Sequence, residues 1–142
     1  MKVSEKGKSL IKNFEGLRTK AYRCSANCLT IGYGHTGSDV YENMIITKEQ
    51  AEKLFDQDIL IHSNNVSKLV NVDLTQNQFD ALVSFEYNVG YGNFSKSTML
   101  KLINSCEFLQ ASKEFDKWIY AGGKPLKGLK HRREQERKLF ES

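Results

Sequence analysis

A single proline, Pro125, stands in 142 residues, so no Pro-rich linker divides the chain. At this length it reads as one domain over residues 1–142. Apolar runs are short. None approaches the roughly 20 residues that a membrane-spanning helix needs, and no transmembrane segment is expected. Met1 to Lys12 carries four lysines with no apolar core after them, and reads as neither a secretory leader nor an anchor. Cysteine is scarce and odd in number: Cys24, Cys28 and Cys106. Without a leader, that count argues against a disulfide framework. Cys24 and Cys28 have no second pair to complete a metal site, and His35, His62 and His131 lack ligand spacing. No metal and no cofactor is therefore expected. Internal repeats and low-complexity tracts are also missing.

Charge is unevenly placed. Residues 1–110 hold 12 basic and 12 acidic side chains, whereas residues 111–142 hold nine and five, so the whole excess of +4 lies at the C-terminal end. A basic end suits an anionic partner such as nucleic acid, an anionic lipid surface or an acidic wall polymer, or it is simply a solvated helix face. Lys127 to Lys138 contains Arg132, Arg133 and Arg137. Glu134 and Glu136 interrupt it and no aromatic platform accompanies it, so specific nucleic-acid binding is not expected.

The patterning is helix first, small sheet second, helices thereafter. Ser4 to Phe14 has a Ser cap and apolar residues at helical spacing. From Ala21 to Tyr33, Tyr22, Leu29, Ile31 and Tyr33 alternate with small or polar residues, and Gly32, Gly34 and Gly37 punctuate the stretch, which predicts a hairpin or short sheet. Capping boxes at Thr47–Gln50 and Thr75–Gln78 open two helices. The second, ending at Gly90, is apolar nearly all round and should be the buried central one. Ser97 caps a short helix, another is predicted over about 107–120 before Gly122-Gly123, and a basic helix over about 129–140 closes the chain. The fold class is α+β, mostly α, with a cleft between the sheet-bearing part and the helical part.

Glu15 ends the first helix just before Gly16 and faces the hairpin, a suitable place for a general acid. Alone, such a glutamate is more often a solvated charge. Thr30 alone reads as a β-branched strand residue, and Cys24 as a small buried hydrophobe.

Glu15, eight residues, Cys24, five residues, Thr30 resembles the catalytic spacing of phage-type lysozymes, in which the middle residue is usually Asp and sometimes Cys. Thr30-Ile-Gly-Tyr-Gly-His35 resembles that family's hairpin. Gln78 to Phe85 with Asn88-Val-Gly90 resembles its central helix. Ser97 to Leu100, Phe115 with Trp118, Ala121-Gly-Gly123, and Gly128-Leu129 with Arg132-Arg133 and Glu136 resemble its C-terminal signature. The match runs in order over about residues 9–140.

The resemblance implies a lysozyme-like fold in which a small N-terminal hairpin and a helical C-terminal part surround a buried central helix. It implies a monomeric muramidase that cuts the MurNAc-(1,4)-GlcNAc bonds of peptidoglycan, made in a host cytoplasm and then released to the wall. Glu15 would protonate the leaving oxygen and Thr30 would hold the attacking water. Cys24 would be nucleophile, base or water-positioner, by inversion through water or through a covalent thioglycoside. Tyr33, Tyr87 and Asn88 would contact sugar, and His35 with Asp58 would form a structural pair tying the hairpin to the helix after Thr47. The alternatives are a non-catalytic peptidoglycan- or chitin-binding module on the same fold, and a secreted wall-degrading effector of a bacterium.

Overall fold

The computed structural model describes residues 1–24 and 26–142. Helix α1 (Glu5–Glu15) starts at Ser4, whose side chain accepts from the Gly7 amide. Three antiparallel strands follow in the order β1 (Arg18–Arg23), β2 (Leu29–Gly32) and β3 (His35–Thr36). Thr30 pairs with Tyr22 on one side and Thr36 on the other. β1 begins three residues before the expected Ala21, and an irregularity between Arg18 and Tyr22 breaks its register with β2.

Helix α2 (Lys48–Leu69) is 22 residues long, about 33 Å at 1.5 Å per residue. Its capping box is complete. The Gln50 amide donates to Thr47 Oγ1 at 3.1 Å, and the Thr47 amide donates to Gln50 Oε1 at 2.8 Å. Helix α3 (Gln76–Val89) has the same device at Thr75 and ends at Gly90. It is the central helix. Every residue from Phe79 to Glu86 is buried, and α1, α2 and the final helix pack around it. The core is continuous, from Ile11 and Ile31 through Phe55, Phe79, Leu82 and Phe85 to Phe94, Met99, Ile103, Phe115 and Phe140.

The sequence suggests helices throughout after residue 46, but a second hairpin interrupts them. Helices α4 (Tyr91–Ser95), α5 (Thr98–Asn104) and α6 (Phe108–Glu114) are short. The helix expected over 107–120 stops at Glu114, gives one 3-10 turn over Phe115–Lys117, and yields to a second hairpin, β4 (Tyr120–Ala121) and β5 (Lys124–Pro125). Gly122 and Gly123 form its tip at φ of 58° and 80°, the left-handed pair that a tight two-residue hairpin requires. The two glycines turn the chain back on itself instead of merely ending a helix. Helix α7 (Lys127–Glu141) begins two residues before the expected start.

The basic character of α7 misleads in one respect. Arg132 and Arg133 are buried, not part of a solvated basic face. Arg132 donates to Glu136, to Glu15 and to the Ser84 carbonyl. Arg133 donates to Glu136, to Asn88 and to the Trp118 carbonyl. Glu136, fully buried, also accepts from Ser84. These bonds offset the cost of removing three charges from water. Among the described residues no buried side-chain nitrogen or oxygen lacks a partner. No helix among them is long and apolar enough to cross a membrane.

Taking the carboxylate out of this cluster leaves buried Arg133 with no carboxylate and Arg132 with Glu15 alone. Glu136→Gln should lower unfolding free energy by about 3 kcal/mol, the scale of a broken buried ion pair. Urea unfolding measures it, and a loss under about 1 kcal/mol would show that the cluster tolerates an uncompensated arginine.

Candidate active site

Glu15 is the last residue of α1, and Gly16 turns the chain away at a φ of 71°. Its carboxylate is held on two sides. Oε2 accepts from Arg132 Nη1 at 2.6 Å, a contact across 117 positions of sequence. Oε1 faces the backbone of Gly34, where a Cβ would collide with it and stand 3.1 Å from the carboxyl carbon. Gly34 also has a φ of 77°, so glycine is required there both by backbone shape and by close approach. The Glu15 side chain remains 19% accessible. It opens on a depression of 480 Å³ lined by Phe14, Asn88, Leu126, Lys127, Leu129 and Arg132 among others.

One turn earlier on α1, Lys12 pairs with Glu52 of α2. Its ammonium lies 4.9 Å from the centre of the Phe55 ring and 5.3 Å from that of Tyr33. The Tyr33 hydroxyl donates to Glu52 at 2.9 Å. Helix α1, helix α2 and the hairpin are therefore clipped together immediately behind Glu15.

Cys24 lies just past β1, and its amide donates to the Cys28 carbonyl at 3.0 Å. Its thiol is held below the ordinary thiol range. The Cys28 amide contributes most to this and the Ala26 amide next. Partial burial opposes them, and the Thr30 hydroxyl and Cys28 thiol add to the lowering. Among the described residues Cys24, Cys28 and Cys106 are free thiols. Thr30, on the central strand, is buried, and its hydroxyl donates to the Cys28 carbonyl at 3.1 Å while its lone pairs remain available.

The three residues expected to contact sugar are placed differently from one another. Tyr33 is buried, with its hydroxyl on Glu52. Tyr87 is half-buried and donates to the Tyr33 carbonyl at 2.7 Å. Asn88 is exposed beside Glu15 at the rim of the depression, with its carbonyl oxygen on Arg133.

His35 Nδ1 is 2.8 Å from Asp58 of α2. The same ring's Nε2 is 3.0 Å from Asp39, a partner the sequence reading did not include. Both ring nitrogens face carboxylates, which accept when ionised, and the ring can donate to both only as the imidazolium. Burial alone would lower its pKa, but the bonds and charges of Asp58 and Asp39 prevail and raise it. The raised value implies stability that is fully present below the unfolded pKa of about 6.5 and fades as pH climbs through the higher folded one.

Sequence reasoning did not foresee Gly34 against Glu15, Arg132 upon it, or the Lys12–Glu52–Tyr33 clip. Gly34 carried a signal in the Gly-Tyr-Gly hairpin motif. Arg132 stands in the C-terminal signature, yet nothing local distinguishes a buried arginine from an exposed one or points it at Glu15.

Residues 12–136 match the phage lysozyme family. The endolysin of Bacillus phage B103 is 53% identical over 142 residues, covering 99% of this chain and 54% of that protein. The endolysin of Acyrthosiphon pisum secondary endosymbiont phage 1 is 47% identical, covering 100% of this chain and 99% of that one. Among solved structures, the muramidase domain of SpmX from Asticaccaulis excentricus superposes with a TM-score of 0.91 at 39% identity, covering 99% of this chain and 98% of that one. The chain belongs to the phage lysozyme family. It spans about half the length of the Bacillus phage relatives, 54% for B103 and 56% for PZA.

The His35 assignment predicts a pH signature. The stability advantage of the wild type over Asp58→Asn should be largest below about pH 6.5 and shrink as pH rises. Melting temperatures taken from pH 5 to about pH 9 test this. A difference that does not change with pH would show that the pair contributes packing and not charge.

Proposed function

We propose that the chain is a muramidase that hydrolyses the MurNAc-(1,4)-GlcNAc bond of peptidoglycan, with Glu15 as general acid and Cys24 as the base. The observation that carries the reading is the mounting of Glu15. One oxygen is fixed by Arg132, the other is covered by a glycine, and the carboxyl opens on a depression beside an exposed amide, Asn88.

The leaving glycosidic oxygen takes the Glu15 proton as the bond to the anomeric carbon breaks. Arg132 then stabilises the carboxylate so formed. A water attacks the opposite face of the sugar, oriented through the lone pairs of Thr30, and its proton passes to the Cys24 thiolate. Two backbone donors favour that thiolate, the amides of Cys28 and Ala26. The β-linked substrate then gives an α-anomer. Asn88 contacts the sugar, while Tyr33 and Tyr87, whose hydroxyls are engaged with protein, support the cleft from behind. The setting that suits this chemistry is phage lysis, with a monomeric enzyme made in the host cytoplasm and released to the wall.

Reducing-sugar release from purified peptidoglycan, with the first-formed anomer read by NMR, is the decisive experiment. A first-formed β-anomer would instead make Cys24 a covalent nucleophile. Binding to peptidoglycan without turnover would mark a non-catalytic module.

Two substitutions address the acid and the sulfur. Glu15→Gln should fold normally and lose at least about a hundredfold in turnover, since an amide has no proton to give. Cys24→Asp should stay active and Cys24→Ser should fall about as far as Glu15→Gln. A Ser variant with wild-type lysis, joined by full activity after thiol alkylation, would remove Cys24 from the reaction.

A further inference from the structure

Beneath the cleft lies a polar stack that the proposed chemistry does not use. Glu86 on α3 is fully buried. It accepts from Asn65 at 3.1 Å and lies 2.5 Å from His62 Nδ1, both on α2. The His62 ring is 4.6 Å from the Tyr87 ring, and Phe55 closes on Tyr87 at 6.1 Å. The phenol ring of Tyr87 is thus wedged between two rings of α2, one of which is itself fixed by a buried carboxylate. A ring so held has little rotamer freedom, and its hydroxyl can point in only one direction. That direction is the Tyr33 carbonyl, 2.7 Å away. The next residue is Gly34, whose backbone covers Glu15 Oε1.

We infer that Tyr87 is a positioning residue: its hydroxyl holds the Tyr33 carbonyl and thereby sets the Gly34 backbone against the Glu15 carboxylate. The inference rests on the assignment of Glu15 as the acid. Tyr87 would touch no substrate. It transmits the rigidity of the α2–α3 interface to a hairpin glycine that lies against the acid. Burial, with the charges of Asp58 and Glu15 acting in the same direction against Arg132, holds its phenol above the ordinary range. The hydroxyl therefore keeps its proton, and stays a donor, at pH values where an ordinary phenol begins to lose it. Displacement of a shielding group by about 1 Å is enough to cost heavily in turnover.

The test compares wild type, Tyr87→Phe and Tyr87→4-aminophenylalanine on purified peptidoglycan, with the Gly34 amide resonance recorded for each by NMR. The Phe variant keeps the ring and loses the donor. The amino variant keeps both. Tyr87→Phe should lower kcat about tenfold with KM nearly unchanged. It should also move the Gly34 amide signal, and the amino variant should restore both. Wild-type kcat in Tyr87→Phe would overturn the inference. So would a rise in KM with kcat preserved, which would make Tyr87 a sugar contact. Equal impairment of both variants would overturn it too, by marking a packing role. If the wild type itself fails to cut peptidoglycan, the muramidase reading falls, and the amide signal still decides the positioning role: an unmoved Gly34 resonance in Tyr87→Phe would reject it.

Discussion

Arg132, Arg133 and Glu136 are held on one face of α7 where water does not reach. Charged groups in such a place must find every partner within the protein, or the helix will not dock at all. The partners come from everywhere that matters to the site: Ser84 and Asn88 on α3, the Trp118 carbonyl before the second hairpin, and Glu15 at the end of α1. An apolar interface of the same size would accept α7 in several rotations. A network of directional bonds accepts very few, which suits an interface that must present one guanidinium to one carboxylate.

The opposite side of Glu15 is built on a different principle. There the constraint is steric, a glycine whose missing Cβ leaves room for a carboxylate oxygen. The three-stranded sheet carrying it is small, and so few strands need an apolar face packed on a neighbour to be stable in water. It is tied down by side chains that reach it from the long helix α2: Asp58 on His35, Glu52 on the Tyr33 hydroxyl, and Phe55 edge-on to the Tyr33 ring at 5.7 Å. The site therefore lies between a rigid polar wall and a hairpin made rigid by its neighbours.

These two constraints also separate what the sequence reveals from what it hides. Local rules dictate the caps at Ser4, Thr47, Thr75 and Ser97, because a side chain three residues from an unpaired amide satisfies it wherever it occurs. The Glu15–Cys24–Thr30 spacing and the glycine-punctuated hairpin are equally local, and they led to the family. The His35–Asp58 proximity, 23 positions apart, came from family resemblance and not from pattern. Asp39, only four residues from His35, lies within the reach of a local rule. The end of α6 at Glu114 is hidden in the sequence because Phe115, Trp118 and Ile119 continue a helical period, whereas tertiary packing of Phe115 and Trp118 on Phe85 draws the chain into a 3-10 turn. The burial of Arg132 and Arg133 was beyond any local rule. Their partners lie up to 117 positions away, and a basic helix looks alike whether its arginines face water or a buried glutamate.

The pairing of Glu15 with Arg132 carries a consequence for the life of the chain on the ribosome. Synthesis runs from the N-terminus at about 5–20 residues per second, so α1 and the hairpin emerge many seconds before α7 does. Through that interval the glutamate has been made but its guanidinium has not, and α3 has no helix to cover Ser84. Contacts of such long sequence separation form late in folding. A nascent chain therefore carries its hairpin side of the cleft and only the α3 part of the wall, and the cleft is finished when α7 closes over α3.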